Sequence, residues 1–353
     1  MSAFKPSFAL NAVKFLLPAV IIGILVWRIE PDQWQQLTDQ PKHYGLLFAA
    51  FLIALMGMCL SFSRWCILVR CQGIELSMLE AFRLGSICFL LSFVSVGSLG
   101  GDLFKAIFLA RRRPGKRVEA VASVIVDRGS GLYGLLLLVV CGTLLLQPAE
   151  VGESVEGLNE LKFAACALFG LGTLVLLILV LGGGSVDRMI SWGSTWRGVG
   201  PMIARVGPSL RAFHAHPFAF GASLLMSVGV QSLFAISVYL VARSLYTNAP
   251  NLTEHFVIVP LGMLAAALPI TPAGIGVWEG AIAWLYKMVP AVPTAASGTL
   301  VALVFDMIRM LLAFFATVFY WTANEEVRQS LEIAEDEAAD QTEHVSAPQR
   351  VEE

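Results

Sequence analysis

The stretch LLSFVSVGSLGGDLFKAIFLARRR, Leu90 to Arg113, decides how this chain folds. It opens as an apolar run too short to cross a bilayer, since a spanning helix takes about 20 apolar residues. Gly97, Ser98, Gly100 and Gly101 interrupt it, Asp102 and Lys105 follow, a second apolar piece resumes, and three arginines close it. The stretch LPITPAGIGVWEGAIAWLYKM, Leu268 to Met288, repeats the plan: apolar run, Pro/Gly break, one acid (Glu279) and a second apolar piece. Interrupted, charge-bearing segments at corresponding places in two halves point to a transporter-type site near the bilayer midplane.

Composition sets the class. The 353 residues are 57% hydrophobic and 14% charged, against roughly 25% charged in soluble domains. A polytopic, all-α membrane protein follows. Net charge, −2, singles out no partner and gives no reason to expect nucleic acid. The six cysteines (Cys59, Cys66, Cys71, Cys88, Cys141 and Cys166) show no C-x-x-C spacing and read as small apolar residues, not as a disulfide or metal framework. Lys5 and Lys14 ahead of the apolar run Phe15–Trp27 imitate a secretory signal, but no small-residue cleavage site follows, so an uncleaved first span is expected.

Six segments are apolar enough to span: 8–27, 44–63, 119–146, 162–183, 217–243 and 296–321. The intervals 81–110 and 256–288 are each split into shorter pieces, which suit re-entrant hairpins. Backbone broken at that depth must be satisfied by protein or by a wet cavity. Lys and Arg concentrate in 64–70, 111–117 and 184–216, whereas 147–161 holds four glutamates and no base. The positive-inside bias then places both termini in the cytoplasm and makes both breaks re-entrant, from opposite faces. The halves 8–146 and 162–321 so read as inverted-topology repeats within a membrane domain of residues 1–322. Gly100 aligns with Gly274 and Lys105 with Glu279; each break is followed by an intramembrane acid and base, Asp127–Arg128 and Asp306 with Arg309. The linker 184–216, with Trp192 and Trp196 among arginines, is either an interfacial helix or a plain cytosolic loop. The acidic tail, 323–353, is short of apolar residues and is expected to be partly disordered.

Each charged position carries two readings. Asp102 is either the cap of a half-helix or, with Lys105 and the positive end of that helix, part of a site for an anionic headgroup that Gly100 and Gly101 let approach. Arg128, Arg309, Asp127 and Asp306 are either ion bridges between repeats or arginines gripping phosphate beside acids that balance charge or carry protons. Pro269, Pro272, Gly274 and Gly276 break the second segment as Gly97 breaks the first, and Glu279 among them is expected to be functional. The Gly276–Gly280 spacing fits close helix packing. His214 and His216 lack a third ligand, so no metal is expected. Asn251-Leu252-Thr253 matches a glycosylation sequon, and no Walker A lysine, nucleophile elbow or H-E-x-x-H occurs.

The pair GSLGGDLFKAIFLARR…ASVIVDRGSGLYGLL and LPITPAGIGVWEGAIAWL…VFDMIRM resembles the membrane region of lysylphosphatidylglycerol synthase, a flippase-like family, over about residues 8–322. The resemblance implies movement of aminoacylated or other anionic lipids between leaflets of the bacterial inner membrane. It places Asp102, Lys105, Asp127, Arg128, Glu279, Asp306 and Arg309 at motif positions. The tail of about thirty residues is far below a soluble domain, so the resemblance implies the translocating part without the synthase part. The expectation is a lipid flippase, not an enzyme, with no cofactor and with membrane lipids as partners. A lipid-modifying enzyme using Glu279 or Asp102 as general base, a non-catalytic partner of another membrane protein, and a homo-oligomer stay open at this point.

Overall fold

Long apolar runs without interior proline become long helices here, and the Gly/Pro-broken stretches become short ones. In the computed structural model, α1 (Tyr44–Cys71), α2 (Met78–Ser92), α3 (Leu99–Arg112) and α4 (Arg117–Leu145) form a first half. After α5 (Glu156–Leu181) and α6 (Gly184–Ser194), the second half repeats the order with α7 (Pro217–Leu245), α8 (Leu252–Ala266), α9 (Val277–Met288) and α10 (Gly298–Trp321). The structure describes residues 42–93, 99–112, 115–145, 156–181, 184–196, 215–268 and 276–321, with isolated positions elsewhere. The expected first span, 8–27, the tail 323–353, His214 and the break residues Gly97, Pro269 and Pro272 lie outside them.

Helix length separates two classes. Four helices among the described residues are long and apolar enough to cross a membrane: Tyr44–Cys71, Arg117–Leu145, Pro217–Leu245 and Gly298–Ala316. Within α5, the apolar stretch Phe163–Leu177 is shorter. The pairs α2/α3 and α8/α9 have 15, 14, 15 and 12 residues. At 1.5 Å per residue each is roughly 18–22 Å long, against a hydrocarbon core of about 30 Å. Each half is therefore long–short–short–long.

The halves interlock by exchanging partners: α2 packs on α10, and α8 packs on α4. Their first helices, α1 and α7, run antiparallel along most of their length. The His43 N–H donates to Ser244 O at 3.3 Å, the Ser237 hydroxyl donates to Ala50 O at 2.8 Å, and Gly57 sits against Leu233 and Phe234. Ala50, Ala54 and Ala235 are fully buried on this seam; small residues let helix backbones close where no hydrophobic force between helices exists.

Both first short helices start on a reciprocal cap. In α2 the Glu80 N–H donates to Ser77 Oγ at 3.2 Å, and the Ser77 N–H donates to Glu80 Oε2 at 2.8 Å. In α8 the Glu254 N–H donates to Asn251 Oδ1 at 2.9 Å, and the Asn251 N–H donates to Glu254 Oε2 at 2.6 Å. The sequon asparagine is thus a helix cap, satisfying N–H groups that have no partner within the helix.

Several boundaries differ from the sequence reading. Helix α1 runs on to Cys71, so Arg64 is not in a basic loop but inside a spanning helix, 6% exposed. Arg111 and Arg112 belong to α3. Gly100 and Gly101 are not part of the first break: they lie in the first turn of α3, where a Cβ on Gly101 would meet Cys88 O at 2.4 Å. Gly101 is there so that α3 can close on α2. Gly280 is exposed with nothing within 4 Å of its Cβ position, so the Gly276–Gly280 pair packs against no helix among the described residues. The second break is as expected: Gly274 and Gly276 have φ of 73° and 90°, the left-handed region that glycine enters without strain. In the linker, α6 is a helix carrying exposed Trp192, with exposed Trp196 just past its end and the two rings 4.8 Å apart. All six cysteines are free thiols.

Candidate functional site: a cavity between the halves

The first half ties its charges into closed pairs. Arg64 reaches from α1 to Asp127 on α4, with Nε 3.0 Å and Nη2 2.9 Å from Oδ1, while its Nη1 donates to Ser227 Oγ on α7 at 2.9 Å. Lys105 on α3 takes the other oxygen, Oδ2, at 3.4 Å, and lies 4.9 Å from the centroid of the Trp65 ring. Both oxygens of Asp127, 4% exposed, are thereby answered. One residue further along α4, Arg128 turns the opposite way and its Nε donates to Asp102 Oδ2 on α3. Asp102 is thus paired across helices rather than acting only as a local cap.

The second half is less complete. Arg309 Nη1 donates to Asp306 Oδ1 at 2.9 Å, one turn along α10, with its guanidinium 5.4 Å from the centroid of Phe93. Glu279 folds back on its own break, its Oε2 accepting from the Gly276 N–H at 2.5 Å. That bond fixes the entry of α9 as a capping carboxylate does. The remaining oxygens, Glu279 Oε1 and Asp306 Oδ2, are buried without a hydrogen-bond partner among the described residues. Glu279 and Asp306 are 5% and 3% exposed. Their neighbours Trp278 and Phe305 hold rings 5.9 Å apart.

Between the two clusters lies a cavity of about 280 Å³, lined among others by Ser92, Arg128, Gln231, Trp278, Phe305 and Arg309. It is the place where α1, α2, α4, α7, α8, α9 and α10 meet. Of the cations expected from sequence to bind a headgroup, the structure brings Arg128 and Arg309 together here, one from each half. The Arg128 side chain keeps 51% of its surface open despite its ion pair, and Arg309 keeps 26%. Lys105 is not among the lining residues; it is absorbed by Asp127. Arg64, the residue that closes the first cluster, was missed in sequence because it sits six residues before Arg70 at a basic helix end and looks like part of it. The signal that could have found it is the length of the apolar run that flanks it on both sides. No group of three or more His, Cys, Asp or Glu residues able to hold a metal occurs among the described residues.

This pattern of broken helices and paired intramembrane charges has a family behind it. No curated protein and no solved structure matches the chain. A family match does, and it runs over residues 11–316, taking in both halves, both short-helix pairs and every charged residue of the cavity. The chain belongs to the lysylphosphatidylglycerol synthase TM region family.

Proposed function

We propose that this protein moves an anionic lipid, or a lipid-linked anionic headgroup, between the leaflets of the bacterial inner membrane. The observation that carries the reading is the pair Arg128 and Arg309, contributed by corresponding helices of the two halves to one cavity. Guanidinium groups match phosphate oxygens with forked donors, and placing them in a membrane interior is costly enough to need a use. The two short-helix pairs act in this reading as re-entrant hairpins entering from opposite faces. A headgroup then meets one arginine from each half, and a rocking of the halves exposes it to either leaflet, as in transporters built from inverted repeats. Both termini face the cytoplasm. No nucleophile–base arrangement is assigned, and the protein acts as a carrier, not an enzyme.

The test is translocation of fluorescent or spin-labelled anionic lipids in proteoliposomes. Wild-type protein is expected to equilibrate a phosphatidylglycerol analogue faster than empty vesicles. Arg128→Gln and Arg309→Gln are each expected to slow it tenfold or more, since a charge-assisted hydrogen bond contributes about 1.5–3 kcal/mol and about 1.4 kcal/mol is a factor of ten. Rates equal to those of empty vesicles across several anionic lipids sink the reading.

A further inference from the structure

The two charge clusters on either side of the cavity are not balanced one by one. The first cluster sets three cations, Arg64, Lys105 and Arg128, against Asp102 and Asp127; the second sets Arg309 against Asp306 and the nearby Glu279. Fully ionised, the whole set sums to zero, with one excess positive charge on the first side and one excess negative charge on the second. An anionic headgroup on Arg128 and Arg309 adds a negative charge that nothing in the set offsets. Burying an uncompensated charge costs several kcal/mol even after relaxation.

The place to absorb it is already there. Glu279 Oε1 and Asp306 Oδ2 are buried acceptors with no donor among the described residues, on helices α9 and α10 that pack against each other, with the neighbouring Trp278 and Phe305 rings 5.9 Å apart. Like-charged carboxyls sharing a site favour binding one proton, and a protonated oxygen is itself a donor. The remaining groups that face them do not replace that proton. Arg309 is committed to Asp306 Oδ1, and the polar groups of the adjoining cavity, Arg128 on α4, Gln231 on α7 and Ser92 on α2, make no hydrogen bond to either free oxygen; α1 and α8 line that cavity with apolar side chains alone. In the first half the corresponding acid, Asp127, has both oxygens occupied by cations, so only the second half has room.

We propose that Glu279 and Asp306 form a proton-binding site and that a proton enters it together with the anionic headgroup. The proton bonds to one of the two free oxygens, Glu279 Oε1 or Asp306 Oδ2, and comes from solvent; no other bond forms or breaks. Proton and anion then raise each other's affinity by the same factor, as linkage requires. The coupling rests on the headgroup reading above, whereas the proton site does not.

Two measurements on the purified full chain in detergent test this. In weak buffer with a pH indicator, adding short-chain phosphatidylglycerol is expected to draw up about one proton per lipid bound. Asp306→Asn and Glu279→Gln are each expected to abolish the uptake. Lipid binding without proton uptake overturns the coupling. Glycerol phosphate serves as the soluble counterpart: uptake with it as strong as with the lipid removes lipid from the proposal. In the second measurement no lipid is added. Infrared difference spectra of wild-type protein between about pH 9 and about pH 6, a range in which ordinary Asp and Glu stay ionised, are expected to show a protonated-carboxyl band that moves when Asp or Glu is labelled with carbon-13. That band persists in Glu160→Gln, an exposed control, and is lost in Asp306→Asn. Because wild-type protein suffices for the labelling arm, a variant that fails to fold does not block the answer. A wild-type spectrum without such a band eliminates the proton site; the band with no lipid binding keeps the site and removes the headgroup reading instead.

Discussion

Asp127 accepts from Arg64 and Lys105 at a position only 4% exposed. Removing one partner of a buried pair strands the other's charge and costs about 3–5 kcal/mol. Arg64→Met is expected to lose that much stability, because it deletes the close contacts to Asp127 Oδ1 and the bond to Ser227 at once. Lys105→Met is expected to lose less, since its contact is longer at 3.4 Å and Arg64 stays in place. Combining Arg64→Met with Asp127→Leu should recover part of the loss. Thermal unfolding in detergent, followed by a thiol-reactive dye on buried Cys66 and Cys88, reads all three. A double variant as unstable as the sum of its parts would show that the pair does not act as a unit.

At the scale of elements, the short helices are held by close approach and by caps. A Cβ at Gly298 would stand 2.7 Å from Ile282 O, and one at Gly101 would stand 2.4 Å from Cys88 O. Backbone cannot yield as a side chain can, so Gly298→Ala and Gly101→Ala are expected to destabilise by about 1–3 kcal/mol. Gly280→Ala, facing open space in the same short helix as Ile282, is expected to stabilise by up to about 1 kcal/mol. Comparing the three midpoints separates packing from propensity. The caps make a matched pair: Ser77→Ala and Asn251→Ala should each cost about 1 kcal/mol, and hydrogen exchange should rise in the first turn of α2 or α8 alone. A loss confined to one of them would mean that only one half relies on its cap.

The antiparallel seam of α1 and α7 sets a prediction for the whole molecule. Because the C-terminal ends of these helices point opposite ways, the loop after α1 and the loop after α7 belong on opposite faces of the membrane. Single cysteines at Glu75 and Thr247, both exposed, in a background lacking the six native thiols, are expected to react with an impermeant maleimide from opposite sides. Labelling of both from one side would break the inverted arrangement, and the re-entrant reading of the short pairs with it. The same global arrangement explains why the cavity carries one arginine from each half: α4 and α10 occupy the same place in the order of their halves, so a residue in the middle of each reaches the space between them.

The sequence by itself determined the membrane class, the position of the second break and most of the charged residues of the two clusters. These are local properties: apolar run length, Gly and Pro where helix backbone fails, and ionisable side chains set in oil. It also contained the signal of both caps, Ser77 with Glu80 and Asn251 with Glu254, three residues apart. Only the tertiary structure decided who pairs with whom. Asp127 and Arg128 are neighbours in the chain, yet successive residues point about 100° apart around a helix of 3.6 residues per turn. One therefore finds Arg64, 63 positions away, and the other finds Asp102, 26 positions away. The partner of a buried charge is chosen by which helix packs on which face, and that choice is made across the fold rather than along the chain.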